Sequence, residues 1–139
     1  MRRGEVLSGT KTALVTGASK GIGRCYALRL AAMGYNVLMV ASGEEELLSV
    51  AEELRAASPN VWVRTLVKDL ATPTAAEELF AWTEAEGIKV DVLINNAGIF
   101  SHCDILNTPQ ERIERIKIKM SNLHAKAFQR RPVRKFLYR

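Results

Sequence analysis

The sequence has no long apolar run and almost no cysteine or histidine. No apolar run approaches the roughly 20 residues of a membrane-spanning helix, and no apolar segment follows the opening Met-Arg-Arg-Gly-Glu as a signal peptide requires. The 139 residues include two widely separated cysteines, Cys25 and Cys103, which predict no disulfide framework. The two histidines have no ligand partners at a suitable spacing, so we expect no metal site. We therefore expect a cytoplasmic protein of one main domain.

Acidic residues are absent from the last part of the chain. Residues 1–114 carry 15 acidic and 11 basic side chains, whereas residues 115–139 carry nine basic side chains and no acidic one. A basic tail can attract nucleic acid or an acidic membrane surface. This tail has no recognisable nucleic-acid motif and no interleaved aromatic side chains, so nucleic acid is the weaker hypothesis and no membrane partner is expected. We interpret residues 1–115 as the domain and 116–139 as a helix and tail, either part of that domain or a frayed end.

Strand-like and helix-like segments alternate along the domain. Short apolar segments predict buried strands at residues 12–16, 36–41, 61–67 and 90–94. Periodic segments predict helices that begin near residues 21, 43, 72 and 108. The alternation predicts an α/β fold: a three-layer, doubly wound parallel sheet of Rossmann type with strand order 3-2-1-4. Ligands are expected beyond the strand C-termini, in the crevice between strands one and four.

Local signals predict where the helices begin and end. Ser42 and Glu45 form a capping-box pattern, and Pro73 suits the first position of the third helix. Gly34 and Gly87 are stop signals for the helices before them. The last helix has apolar residues three and four positions apart, which predict a buried face: Ile113, Ile116, Met120, Leu123 and Ala127.

A glycine-rich segment, Thr16 to Gly23, joins the first strand to the first helix with the spacing G-x-x-x-G-x-G. Glycine allows the chain to turn sharply out of the strand and lets a phosphate approach the backbone. The helix that follows directs its free N–H groups and positive dipole end at that point. Because the motif lies between a strand and a helix, it predicts a pyrophosphate site.

Three motifs together resemble the short-chain dehydrogenase/reductase family. Thr16 to Gly23 is similar to its T-G-x-x-x-G-I-G signature, and Asn95 to Gly98 is similar to its N-N-A-G motif. Asp69-Leu70 follows the third strand, as does the acidic position beside the adenine in that family. The resemblance covers about residues 10–108. It implies an NAD(P)-dependent oxidoreductase that transfers hydride to or from a carbonyl or alcohol.

The resemblance also implies which residues bind the cofactor. Asp69 would accept a hydrogen bond from the adenine amino group, and Leu70 would flank the ring. Asn95 would tie the fourth strand to the first, near Thr16. The full cofactor-binding set is Thr16, Gly17, Ser19, Lys20, Gly21, Ile22, Gly23, Ser42, Asp69, Leu70, Asn95, Ala97 and Gly98.

Cofactor choice depends on the end of the second strand. An acid there would bind the ribose 2′-OH of NAD, but the sequence offers none before Glu44. The absence removes a repulsion against a 2′-phosphate, and Lys20 adds a positive charge on the same side. NADP(H) is therefore favoured over NAD(H), although the Arg that NADP-preferring members usually have at the position of Ser42 is missing.

The family's catalytic groups are mostly absent from this sequence. The resemblance implies a Tyr with a Lys four residues later, helped by a Ser and an Asn, but no Y-x-x-x-K occurs. Asn122 is the one catalytic candidate, with an ordinary polar helix residue as the alternative. We expect the chain alone to be inactive, either as a truncated product of a reductase gene or as a non-catalytic dinucleotide-binding or regulatory module. An open edge at the fourth strand and the last helix predict a homo-oligomer.

Overall fold

The computed structural model describes residues 11–97, 109–111, 114 and 135–138. Strands and helices alternate through the described chain as the sequence predicts. Their bounds are β1 (Thr12–Thr16), α1 (Gly21–Ala32), β2 (Asn36–Ala41), α2 (Glu44–Ala57), β3 (Val63–Val67), α3 (Ala75–Ala85), β4 (Val92–Asn95) and β5 (Lys135–Tyr138).

The strands form one parallel sheet in the order β3-β2-β1-β4-β5. The predicted order 3-2-1-4 is confirmed. The prediction of an open edge at β4 is wrong, because β5 pairs with it in parallel, from Val92 opposite Lys135 to Asn95 opposite Tyr138. The physical reason is that the unpaired N–H and C=O groups of β4 need partners, and the segment Lys-Phe-Leu-Tyr has residues that favour strands. Part of the basic tail therefore belongs to the same sheet as the domain.

The sheet is covered by helices on both faces, which confirms the three layers. Ala13 and Val15 of β1 pack in one buried cluster with residues of α1 and α2, including Ala27 and Leu54. The intervening Leu14 packs in a second cluster with α3. All three β1 residues have no exposed surface. Burial on both sides explains why β1 and β2 read as continuous apolar runs rather than alternating ones.

The glycine stop signals are confirmed, but the capping box is not. Gly34 and Gly87 follow α1 and α3 with φ of 91° and 67°, a left-handed conformation that glycine adopts readily. The N-cap of α2 is Gly43, and no side chain caps it within the described part of the chain. The prediction that Ser42 and Glu45 form a capping box is therefore wrong, because the helix begins one residue later than that pattern requires.

The third helix also begins later than predicted. Pro73 lies in a turn before α3, and the N–H of Ala75 donates to the carbonyl of Thr72 at 3.2 Å. The N-cap is Thr74, so the prediction that Pro73 is the first helical residue is wrong. The turn takes up the residues that separate β3 from the helix and directs Ala75 and Ala76 into the core.

The described part of the last predicted helix is short. Gln110, Glu111 and Glu114 are helical, and the Gln110 side-chain amide donates to Glu114 Oε1 at 2.9 Å. The apolar positions that predicted a buried face on this helix lie outside the described residues. Of the helices that the structure describes, none has both the length and the apolar character to cross a membrane.

Candidate functional site

The chain leaves β1 through a tight turn that requires glycine at two positions. Gly17 has φ of 64° and its N–H donates to the carbonyl of Val40 at 2.8 Å, which fixes the turn to the end of β2. Gly21, the first residue of α1, has φ of 58°. Both values lie in the left-handed region that disfavours residues with a side chain.

Gly23 is required for packing rather than for backbone conformation. A Cβ at this position would lie 2.0 Å from the carbonyl oxygen of Gly17 and 2.5 Å from Asn96 Nδ2. The missing side chain therefore lets α1 approach the turn and the end of β4. At Gly21, by contrast, a Cβ would meet no described atom within 4 Å. The backbone at Gly21 faces open space, into which a ligand can come close.

The N-terminus of α1 lacks the groups that usually satisfy a helix start. Its N-cap, Lys20, makes no side-chain capping hydrogen bond in the described structure, and its first turn has no acidic residue. The first turn of α2 carries three acidic residues instead, Glu44, Glu45 and Glu46. Free N–H groups and the positive end of the helix dipole together bind anions. The α1 terminus therefore fits the pyrophosphate of a dinucleotide.

The end of β4 is tied to this turn by two polar side chains. Asn96 Nδ2 donates to the carbonyl oxygens of Thr16 and Gly17, each at 3.3 Å. The fully buried Thr16 hydroxyl accepts from the N–H groups of Asn96 at 3.1 Å and Ala97 at 2.9 Å. The tie that the sequence assigned to Asn95 is thus made by Asn96, and that prediction is wrong by one residue. Asn95 itself is buried within β4.

A cavity of about 280 Å³ opens at the C-terminal edge of the sheet. It gathers many of the predicted cofactor residues, from the β1 turn and from the ends of β2, β3 and β4. Its lining consists of Gly17, Ser19, Lys20, Ala41, Ser42, Gly43, Glu46, Lys68, Leu70, Asn96 and Ala97. The sequence did not single out Gly43, Glu46, Lys68 or Asn96 as site residues.

The remaining predicted residues lie around the cavity or outside the described chain. Asp69 is half-buried, and its Oδ1 accepts the N–H of Ala71 at 2.9 Å, which orients the carboxylate at the end of β3. Its role toward the adenine stays a prediction. Ile22 is 41% exposed at the start of α1. Gly98 and Asn122 lie outside the described residues.

Two lysines give the cavity its positive charge, and each faces a carboxylate. Lys20 Nζ lies 3.9 Å from Glu46 Oε2, and Lys68 Nζ forms an ion pair with Glu78. The hydrogen bond from Lys68, the hydrogen bond with Thr74 and the charge of Lys68, in that order, hold the pKa of Glu78 below its usual range. Lys68 follows β3 directly, so a cation at the carboxyl end of a strand was the signal that could have identified it.

The site offers backbone N–H groups and lysines rather than metal ligands. Among the described residues, no group of three or more His, Cys, Asp or Glu side chains could hold a metal ion. The N–H groups at the start of α1 and the lysines of the cavity are groups that bind anions.

Known proteins share both the sequence and the fold. The chain is 42% identical over 86 residues to a very-long-chain 3-oxoacyl-CoA reductase of Mycosarcoma maydis. This match covers 62% of this chain and 25% of that protein. It is 36% identical over 112 residues to a reductase of the same description from Caenorhabditis elegans. This match covers 78% of this chain and 35% of that protein. The chain thus spans about a quarter to a third of the curated relatives that it matches.

The structure matches a short-chain dehydrogenase from Sphingobium yanoikuyae in complex with NADPH, at 33% identity and a TM-score of 0.75. That match covers 86% of this chain and 48% of the other. The family model described as short chain dehydrogenase matches residues 11–125. The turn, the α1 terminus and the β4 tie lie within those residues, and the chain belongs to the short-chain dehydrogenase family.

Proposed function

We propose that this chain binds a nicotinamide dinucleotide, with NADP(H) favoured over NAD(H), and supplies the cofactor site of a carbonyl or alcohol oxidoreductase. The observation that carries the proposal is the N-terminus of α1. Among the described residues, no side chain caps its N–H groups, no acid lies in its first turn, and no atom would lie within 4 Å of a Cβ at Gly21. A pyrophosphate supplies the negative charge and the acceptor oxygens that these N–H groups lack.

Different residues of the cavity contact different parts of the cofactor in this proposal. The N–H groups at the start of α1 hold the pyrophosphate, while Ala41 and Ser42 lie where the adenosine ribose is read in folds of this kind. Leu70 gives an apolar wall, and Ala97 leaves space at the β4 end. The bound cofactor supplies the hydride. The residues of this chain hold and orient the cofactor.

The preference for NADP(H) rests on charge. Ala41, at the end of β2, lines the cavity at the position where an acid would repel a 2′-phosphate. Lys20 and Lys68 line the same cavity and attract that phosphate. The match with a family member in complex with NADPH supports the same preference.

The substrate class follows from the relatives only for the whole protein. The two relatives named above are very-long-chain 3-oxoacyl-CoA reductases, so we propose a 3-oxoacyl-CoA as the substrate of any full-length enzyme that contains this cofactor site. The sequence has tyrosines at Tyr26, Tyr35 and Tyr138, and none is followed by a lysine four residues later. The 139-residue chain alone is therefore proposed to bind the cofactor without turnover, as a non-catalytic module would.

Titration calorimetry of the folded chain with NADPH and NADH tests the proposal. Saturable binding of both, with NADPH the tighter ligand, is the expected result. Mixing the chain with NADPH and a 3-oxoacyl-CoA should give no oxidation of NADPH, because loss of general acid catalysis alone slows reduction about 10²- to 10⁴-fold.

Two results would contradict it. A chain that gives a folded circular dichroism spectrum and binds neither dinucleotide would refute the cofactor site. Saturable oxidation of NADPH that depends on the carbonyl substrate would refute the non-catalytic assignment and show that this chain contains a proton donor.

A further inference from the structure

We propose that Glu46 is a specificity-determining residue that weakens the binding of a 2′-phosphate and so limits the preference for NADPH over NADH. The inference rests on the proposed function, since it concerns the adenosine end of the same cavity. It assigns an acid on α2 to the charge selection that an acid at the end of β2 would perform.

The position of Glu46 places its carboxylate at the right part of the cavity. Glu46 lines it together with Ala41, Ser42 and Gly43, the segment that follows β2. Its Oε2 lies 3.5 Å from the place that a Cβ on Gly43 would occupy, so the carboxylate folds back over the N-cap of α2. The end of the second strand is where this fold reads the ribose 2′ position.

Charge at this end of the cavity is already partly neutralised. Lys20 lies 3.9 Å from Glu46, and Lys68 is paired with Glu78. A phosphate monoester carries between about −1.5 and −2 charges at neutral pH. A 2′-phosphate in this part of the cavity is therefore repelled by Glu46 and competes with it for Lys20. A ribose 2′-OH carries no charge, and a carboxylate can accept a hydrogen bond from it. Glu46 therefore opposes the binding of NADPH, which carries the 2′-phosphate, and does not oppose the binding of NADH.

The effect should be moderate, because the groups are solvated. The side chains of Lys20 and Glu46 are 81% and 60% exposed, and ion pairs of this kind are weak and sensitive to salt. A solvated carboxylate can also move aside when the phosphate binds. Glu46 therefore adjusts the ratio of the two affinities and does not exclude NADPH.

The test compares Glu46→Gln with Glu45→Gln in the same chain. Both substitutions remove one negative charge from an exposed position in the first turn of α2, but only Glu46 lines the cavity. The dissociation constants to measure are those of NADPH and NADH, with adenosine 2′,5′-bisphosphate and 5′-ADP as probes of the adenosine end.

We expect Glu46→Gln to bind NADPH and the bisphosphate about three- to ten-fold more tightly than the parent chain does. Binding of NADH and 5′-ADP should not become tighter. Glu45→Gln should change every constant less than about two-fold. The gain for NADPH should shrink at about 1 M salt, where the Debye length falls to about 3 Å. A merely structural role of Glu46 would not produce that salt dependence.

The outcomes separate the two proposals. If the parent chain binds both dinucleotides and Glu46→Gln leaves their affinity ratio unchanged, this inference is overturned and the cofactor site stands. An equal gain from Glu45→Gln would also overturn it, because general electrostatics would then explain the effect. If the folded parent chain binds neither dinucleotide, the proposed function fails and this inference fails with it.

Discussion

The two ends of the cavity are built in different ways. The phosphate turn, residues 17–23, is fixed by backbone hydrogen bonds and by the side chains of the buried Thr16 and the half-buried Asn96 behind it. The charged rim consists of the side chains of Lys20, Glu46 and Lys68, with Glu78 beside it as the partner of Lys68. Two ion pairs hold it in place. Of the side chains in these pairs, Lys20, Glu46 and Glu78 are each more than half exposed.

The contrast separates recognition from discrimination. At the phosphate turn, a Cβ at Gly23 would overlap backbone, so its residue type is dictated by packing. Solvated ion pairs at the rim contribute little to stability and can exchange partners. Under the proposed function, the turn recognises the pyrophosphate that both cofactors share, whereas a change at the rim alters the preference between NADPH and NADH at little cost to the fold.

Replacement of Gly23 by Ala should have the largest effect and should break the phosphate turn. The new Cβ would lie 2.0 Å from the carbonyl oxygen of Gly17, so α1 or the turn must shift. We expect the free energy of unfolding to fall by about 3 kcal/mol, more than the roughly 1 kcal/mol that alanine gains over glycine in a helix. Urea denaturation followed by circular dichroism measures the change.

Gly21→Ala is the matched control for that substitution. Its Cβ would meet no described atom within 4 Å, so the cost is that of the left-handed backbone alone, about 1–2 kcal/mol. Equal destabilisation by the two variants would contradict the packing role of Gly23.

Replacement of Ala41 by Asp should change the preference between NADPH and NADH and leave the phosphate turn in place. A carboxylate at this position would repel the 2′-phosphate and accept a hydrogen bond from a ribose 2′-OH. NADPH should bind about 10- to 100-fold more weakly, so that NADH becomes the tighter ligand. Calorimetry with Ala41→Asn as the uncharged control separates charge from size. A chain that still prefers NADPH after Ala41→Asp would place the 2′ position elsewhere.

The smallest effect is expected from Glu78→Gln at the rim. The pKa of Glu78 is lowered, chiefly by the hydrogen bond from Lys68, so the ionised form stabilises the folded chain. A lowered folded-state pKa gives a contribution that is complete above the ordinary pKa of glutamate and is lost as the pH falls below it. The urea midpoints of parent and variant should therefore differ slightly at neutral pH and converge in acid. A difference that grows in acid would contradict the direction of the shift.

The segments that could be predicted from the sequence are those whose residue types are dictated by burial. The bounds of β1 and β2 are as predicted, because both strands are buried on both faces and read as short apolar runs. The phosphate turn was predictable for the same kind of reason. The left-handed conformation of Gly17 and Gly21 and the close packing at Gly23 leave few alternatives to glycine.

The failures depend on information that a local pattern does not contain. β4 extends to Asn95, one residue past its predicted end, and a shift of one residue in a strand moves a side chain to the other face. The polar side chain that ties β4 to the turn is therefore that of Asn96. The pairing of β5 with β4 joins segments far apart in sequence, which no periodicity reports. Glu46 was missed because an exposed ion pair follows no spacing rule in the sequence, whereas Lys68 was missed although it directly follows β3.

The proposed function requires that the N-terminus of α1 binds the pyrophosphate, and Gly21→Asp would place a carboxylate at that terminus. Asp and Asn both tolerate the left-handed backbone at Gly21, where φ is 58°, so Gly21→Asn controls for fold and size. Calorimetry with NADPH should show Gly21→Asp binding at least about 30-fold more weakly than Gly21→Asn, because its carboxylate faces the pyrophosphate. If the two variants bind NADPH equally well, the phosphate does not lie at this helix terminus and the proposed cofactor site is refuted.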